Sequence, residues 1–150
     1  MNIQQAIIQV LAGCVGSFGF AILFNIRGIR MVVAGISGLF TWLLFLLLQL
    51  SIPNEAINYL LVAFAAALFA QVMARVLKTP TTAFIITALI PLIPGSSLYY
   101  TMAYAFQSNF EQFLERGLYT LELAAALALG IILATTFTKV LMRIFIKKTV

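Results

Sequence analysis

The sequence predicts an all-α, polytopic integral membrane protein of about five transmembrane helices in one domain, residues 1–150, with the fourth helix broken at Pro91-Pro94-Gly95. Three observations carry this prediction. Hydrophobic residues make up 63% of the chain and charged residues only 9%, with a mean hydropathy of +1.11; soluble domains carry roughly 25% charged residues. The apolar residues gather into segments of about 20, the length a helix needs to cross a ~30 Å hydrocarbon core. The polar residues fall in short stretches between those segments.

The first span is expected at about residues 3–24. Val10-Leu11-Ala12-Gly13-Cys14 resembles a lipoprotein cleavage box, but no basic residue precedes it and the apolar run continues to Phe24, unlike a signal peptide. Gly13, Gly16 and Gly19 instead offer a small face for close helix packing. Asn25 to Arg30 forms a short turn with two arginines, and the second span follows at about 31–50. Its small first half, with Ala34, Gly35, Ser37 and Gly38, suits contact with other helices; its bulky second half suits lipid.

Ser51 to Glu55 makes the next turn, with Ser51 or Asn54 as a helix cap. The third span, about 56–77, repeats Ala66, Ala70 and Ala74 on one face, which marks a packing seam. The fourth, about 80–106, opens on Pro80, a residue that suits a first helical turn. A helix from Thr81 to Ile93 rises only about 20 Å. Pro91, Pro94 and Gly95 should break it inside the membrane, and a second short helix ending near Phe106 should finish the crossing. Residues 107–116 read as a polar loop, 117–138 as the fifth span, and 139–150 as a basic tail whose Lys139, Arg143, Lys147 and Lys148 suit an anionic leaflet.

Composition narrows the function. The chain has no His and no Asp, and its acids are Glu55, Glu111, Glu115 and Glu122. Metal clusters, Ser-His-Asp arrangements and aspartyl dyads are therefore excluded, no cofactor is expected, and an intramembrane enzyme is disfavoured. Cys14 has no pairing partner in the chain. The net charge of +5 lies at segment ends and not on a soluble face, so nucleic acid is not an expected partner. With five spans, Arg27, Arg30, Arg75, Lys78 and the basic tail share one side, opposite Glu55, Glu111, Glu115 and Arg116. The positive-inside rule then puts the N-terminus outside and the C-terminus in the cytoplasm. Four spans would split the basic clusters between both sides.

Irregular backbone in a membrane survives only inside protein or along a water-filled cavity, and discontinuous helices build binding sites in transporters. A half-helix starting near Ser96 would present free N–H groups and a positive dipole end to a carboxylate, with Pro94 and Gly95 forming the turn and Ser96, Ser97 and Thr101 adding hydroxyls. The competing readings are a packing kink or, if the fourth segment ends early, an ordinary exit loop. Glu122, a lone carboxylate in a span, falls in a four-residue repeat with Ala126, Gly130 and Ala134. That repeat predicts a place on the packing seam and a proton-coupling role; the competing reading is an interfacial residue reaching water. Tyr99, Tyr100 and Tyr104 line a cavity or form an aromatic belt.

Phe20 to Asn25 before a basic turn, Pro80 to Phe84, and Ile90-Pro91-Leu92-Ile93-Pro94-Gly95 leading to Tyr99 together resemble the threonine/serine exporter family, and within it the small, separately encoded subunit. The resemblance implies a bacterial inner-membrane, multi-pass exporter of small carboxylate-bearing metabolites: threonine and serine, or a dicarboxylate such as succinate. It implies proton-driven antiport in the lipid bilayer and a larger transmembrane partner subunit, or a homo-oligomer. Asn25, Pro80, Pro91, Pro94, Gly95 and Tyr99 match as motif positions, which adds Asn25 and Tyr99 to the expected substrate site. The alternatives are a non-transporting accessory subunit and a channel.

Overall fold

The computed structural model describes residues 2–147, with side chains through Ile144. Six α-helices follow in order: α1 (Ile3–Leu23), α2 (Ile29–Gln49), α3 (Glu55–Val76), α4 (Thr81–Leu89), α5 (Gly95–Phe106) and α6 (Phe110–Lys147), with a 3₁₀ turn, Ile90–Leu92, between α4 and α5. Four of them are long and apolar enough to cross a membrane, and the bent pair α4–α5 makes up to a fifth span. The protein is all-α and polytopic.

The helix ends follow from local chemistry. Asn54 caps α3, its side-chain oxygen accepting from the Ile57 N–H at 3.0 Å. α1, α3 and α5 all end the same way. Asn25, Lys78 and Ser108 adopt positive φ of 56°, 49° and 55°. The next residue's N–H then reaches back to the carbonyl of Ala21, Ala74 and Tyr104, at 2.9, 2.9 and 3.0 Å. This six-to-one bond satisfies a carbonyl that the helix end would leave bare.

Small residues set the packing. α1 lies on α2 where Gly13 and Ser17 meet Gly38; a Cβ added at Gly38 would come within 2.6 Å of the Gly13 carbonyl oxygen. Gly19, by contrast, has nothing near it, so the small face of α1 is used only in part. On α2, Ala34, Gly35, Ser37 and Gly38 are buried as their size suggests, but so are Phe45 and Leu46 from the bulky half. The α3 seam of Ala66, Ala70 and Ala74 is buried and joins a core with Phe84, Ala88 and Leu92. The Asn58 side-chain amide donates to the Phe45 carbonyl at 3.2 Å, tying the start of α3 to the end of α2.

α3 and α6 run parallel. Glu55 meets Tyr119, and farther along Gly130 lies against the backbone of Leu60 and Phe64. α5 runs antiparallel to α6, with Ser97 beside Thr120 and Thr101 beside Gly117. The start of α5 therefore lies level with the first turn of α3. The break falls near the Glu55 end of the bundle, not halfway along it, because the 3₁₀ turn and the extended Ile93 add length to α4 before α5 begins. A second departure concerns the loop expected at 107–116. Only Gln107–Asn109 separate α5 from α6. Glu111, Gln112 and Glu115 are good helix formers, and Asn109 caps them by accepting from the Gln112 N–H at 3.3 Å. Lys148 lies outside the described residues.

Candidate functional site

The bend between α4 and α5 is 63°. Pro91 has no N–H to give the helix and nests against α1, where a Cβ on Gly13 would already lie 3.4 Å from its ring. Pro94 stands at the N-cap of α5 and offers no side-chain cap. The Gly95 N–H bonds to the Ile93 carbonyl at 2.7 Å and the Leu98 N–H to the Pro94 carbonyl at 3.0 Å. The Ser96 and Ser97 amides between them are first-turn donors, the groups that helices leave for caps, water or ligands.

Under this turn lies a pocket of about 180 Å³ lined by Glu55 and Tyr59 from α3, Pro94, Ser96, Ser97 and Tyr100 from the break and α5, and Arg116, Tyr119 and Leu123 from α6. Pockets for drug-sized ligands run to roughly 300–1,000 Å³, so this one suits a metabolite of a few heavy atoms. On its α5–α6 side, three hydroxyls form a partly buried chain. Ser97 and Thr120 share a hydrogen bond of 2.7 Å, Thr101 approaches Thr120 at 3.3 Å, and Thr101 also donates to the Ser97 carbonyl at 2.9 Å. On the α3 side, the Tyr119 hydroxyl donates to the Glu55 carboxylate. The Arg116 guanidinium lies 6.0 Å from the centre of the Tyr119 ring. One base, one acid and a tyrosine between them thus face the free start of a helix.

The expected site residues divide. Pro94, Ser96 and Ser97 line the pocket, Gly95 sits in the turn above it, and Thr101 supports its hydroxyl chain. Gly95 is not held there by backbone strain: its φ is not left-handed and an added Cβ would meet open space. Tyr99 points away and is exposed, packed edge-on against Tyr100, which lines the pocket in its place. Asn25 lies at the other end of α2 from Glu55, where its side chain accepts from Arg27 at 2.9 Å and shapes the basic turn. Glu122 is exposed and not on the packing seam. The buried face of α6 runs through Leu123, Ala126, Gly130, Ala134 and Thr138; the four-residue repeat holds from Ala126 onward, but toward the start of the helix the face passes through Leu123 and leaves Glu122 beside it.

Five residues that line the pocket were not expected from sequence, Glu55, Tyr59, Arg116, Tyr119 and Leu123, and neither was Thr120 beside it. Their signal was present but weak. Arg116, Thr120 and Leu123 share one helical face, a pattern visible only if α6 starts before residue 116. Among the described residues no group of three or more His, Cys, Asp or Glu is placed to hold a metal ion.

Membrane-length helices around a small polar pocket at an interrupted helix define a polytopic membrane protein of the kind to which secondary transporters belong. The chain belongs to the threonine/serine exporter family: the family model described as Threonine/Serine exporter, ThrE matches residues 9–137. It is thus a membrane transport protein of a non-enzyme family. A search of curated proteins finds no match, and a search of solved structures finds none either.

Proposed function

We propose that this chain is one subunit of a secondary exporter of small hydroxylated amino acids, threonine and serine, and that the pocket under the α4–α5 break holds the substrate. The observation that carries this reading is the convergence of Arg116 and the free first turn of α5 on one pocket beside the Ser97–Thr120–Thr101 hydroxyl chain. A substrate carboxylate accepts from the Ser96 and Ser97 amides and from Arg116, and the positive end of the α5 dipole favours it. A substrate hydroxyl joins the Ser97–Thr120 pair. Glu55 in the lining disfavours a second carboxylate, so succinate is the weaker candidate.

The charge pattern supports a cytoplasmic-membrane location with the C-terminus inside, which places the pocket at the external end, where an exporter releases its substrate. An odd number of spans calls for a second half, supplied by a larger subunit or another copy. Proton coupling through Glu122 then requires that second chain to cover its exposed face. The position of the break near one end of the bundle favours a second reading, an accessory subunit whose partner carries the translocation path.

The test is flux of labelled serine, threonine and succinate into proteoliposomes across an imposed proton gradient, with this chain alone and with a larger subunit of the family. Gradient-dependent serine flux that Arg116→Gln lowers at least about tenfold supports the site, since hydrogen bonds to charged groups contribute about 1.5–3 kcal/mol. Equal flux from the larger subunit alone identifies an accessory chain.

A further inference from the structure

Glu55 and Arg116 line the same small pocket, yet among the described residues they do not close an ion pair with each other. Tyr119 stands between them. Its hydroxyl occupies the Glu55 carboxylate, and its ring lies under the Arg116 guanidinium. The acid's side-chain partner is therefore a neutral phenol at one carboxylate oxygen, a weaker partner than a cation for a carboxylate. The groups facing Glu55 are Tyr59 on its own helix, Tyr119 and Arg116 on α6, and Tyr100 on α5. Arg116 is the one cation among them, and the tyrosine ring holds it off.

The geometry assigns Glu55 as the residue that selects for a substrate ammonium group, with Tyr119 as the group that the ammonium displaces. This rests on the pocket being the substrate site. A zwitterion brings its carboxylate to Arg116 and its ammonium to Glu55, and the Tyr119 hydroxyl gives way. A hydroxy acid without the ammonium leaves the Tyr119–Glu55 bond in place and gains only half the contacts. An amine without the carboxylate gains only the other half. Tyr119 thus raises the threshold for any ligand that must reach Glu55, and only a ligand carrying both charges gains contacts at both ends of the pocket.

The experiment compares three probes in the proteoliposome assembly that transports: L-serine as substrate, with 3-hydroxypropanoate (serine without its ammonium) and ethanolamine (serine without its carboxylate) as competitors. In the unmodified protein both competitors inhibit at least about tenfold more weakly than unlabelled serine. In Glu55→Gln the half-saturation concentration for serine rises at least about tenfold, while inhibition by 3-hydroxypropanoate is unchanged or stronger. Glu55→Asp keeps the charge and keeps the preference for serine. Tyr119→Phe removes the competing donor and lowers the serine half-saturation concentration about threefold or more. Should Glu55→Gln fail to assemble, the Tyr119→Phe shift and the Glu55→Asp selectivity carry the test. Unchanged serine selectivity in Glu55→Gln, with Arg116→Gln inactive, overturns the assignment of Glu55 alone. Full flux in Arg116→Gln overturns the pocket as the substrate site.

Discussion

Three glycines of this chain separate packing from function. A Cβ at Gly38 would press on the Gly13 carbonyl oxygen at 2.6 Å, and one at Gly130 would lie 2.6 Å from the Leu60 carbonyl oxygen and 2.8 Å from the Ala63 Cβ. Backbone cannot give way as a flexible side chain does. Gly38→Ala and Gly130→Ala are each expected to destabilise the protein by about 1–3 kcal/mol, seen as a lower midpoint for thermal unfolding in detergent. Gly95→Ala meets open space and leaves that midpoint unchanged, but it places a methyl group over the free turn of α5 and lowers serine flux. Unchanged flux would detach Gly95 from the site. Pro94, Ser96 and Ser97 were legible in the sequence because their chemistry is local: a proline and a helix start advertise unpaired N–H groups. Glu55 and Tyr119 were not, because their contact joins residues 64 apart in the chain. In the sequence both Glu55 and Arg116 read as loop charges that set topology.

At the scale of elements, the break is the feature most securely written in the residues, and its height is the least. Ile90-Pro91-Leu92-Ile93-Pro94-Gly95 cannot continue an α-helix on any reading. Where the break falls depends on how α3, α5 and α6 slide past one another, and Gly130, the Glu55–Tyr119 contact and the Ser97–Thr120 contact set that register. The Ser97–Thr120 contact is directly testable. In a Cys14→Ser background, cysteines at positions 97 and 120 replace hydroxyls 2.7 Å apart and are expected to cross-link on mild oxidation. Replacing Pro91 and Pro94 with alanine in the same protein lets α4 run straight into α5, which draws position 97 away from α6 and suppresses the cross-link. Persistent cross-linking would mean that packing against α6, and not the prolines, holds the bend.

Across the whole molecule, charge and length divide the two ends. Arg27, Arg30, Arg75 and Lys78 lie at one end, and the last turns of α6 carry Lys139 and Arg143 toward the same side. α6 has 38 residues and so extends about 57 Å, well beyond a ~30 Å core. Its first turns, alongside α5, stand beyond the start of α3 with Phe106, Phe110 and Leu118 exposed. Single cysteines in the Cys14→Ser background test the orientation in whole cells. A membrane-impermeant thiol reagent is expected to label position 109 and to spare positions 28 and 78; the reverse pattern would invert the topology and put the pocket on the cytoplasmic side. Parallel α3 and α6, with α5 folded back on α6, bring one acid and one base to a single small pocket beside the Ser97–Thr120–Thr101 hydroxyls. The most direct measure of whether that pocket is where substrate binds is gradient-driven serine flux into proteoliposomes, compared between the unmodified protein and Arg116→Gln at matched thermal stability. A loss of at least about tenfold is the result expected of a residue that holds the substrate carboxylate. Undiminished flux from a stably folded Arg116→Gln would contradict the account.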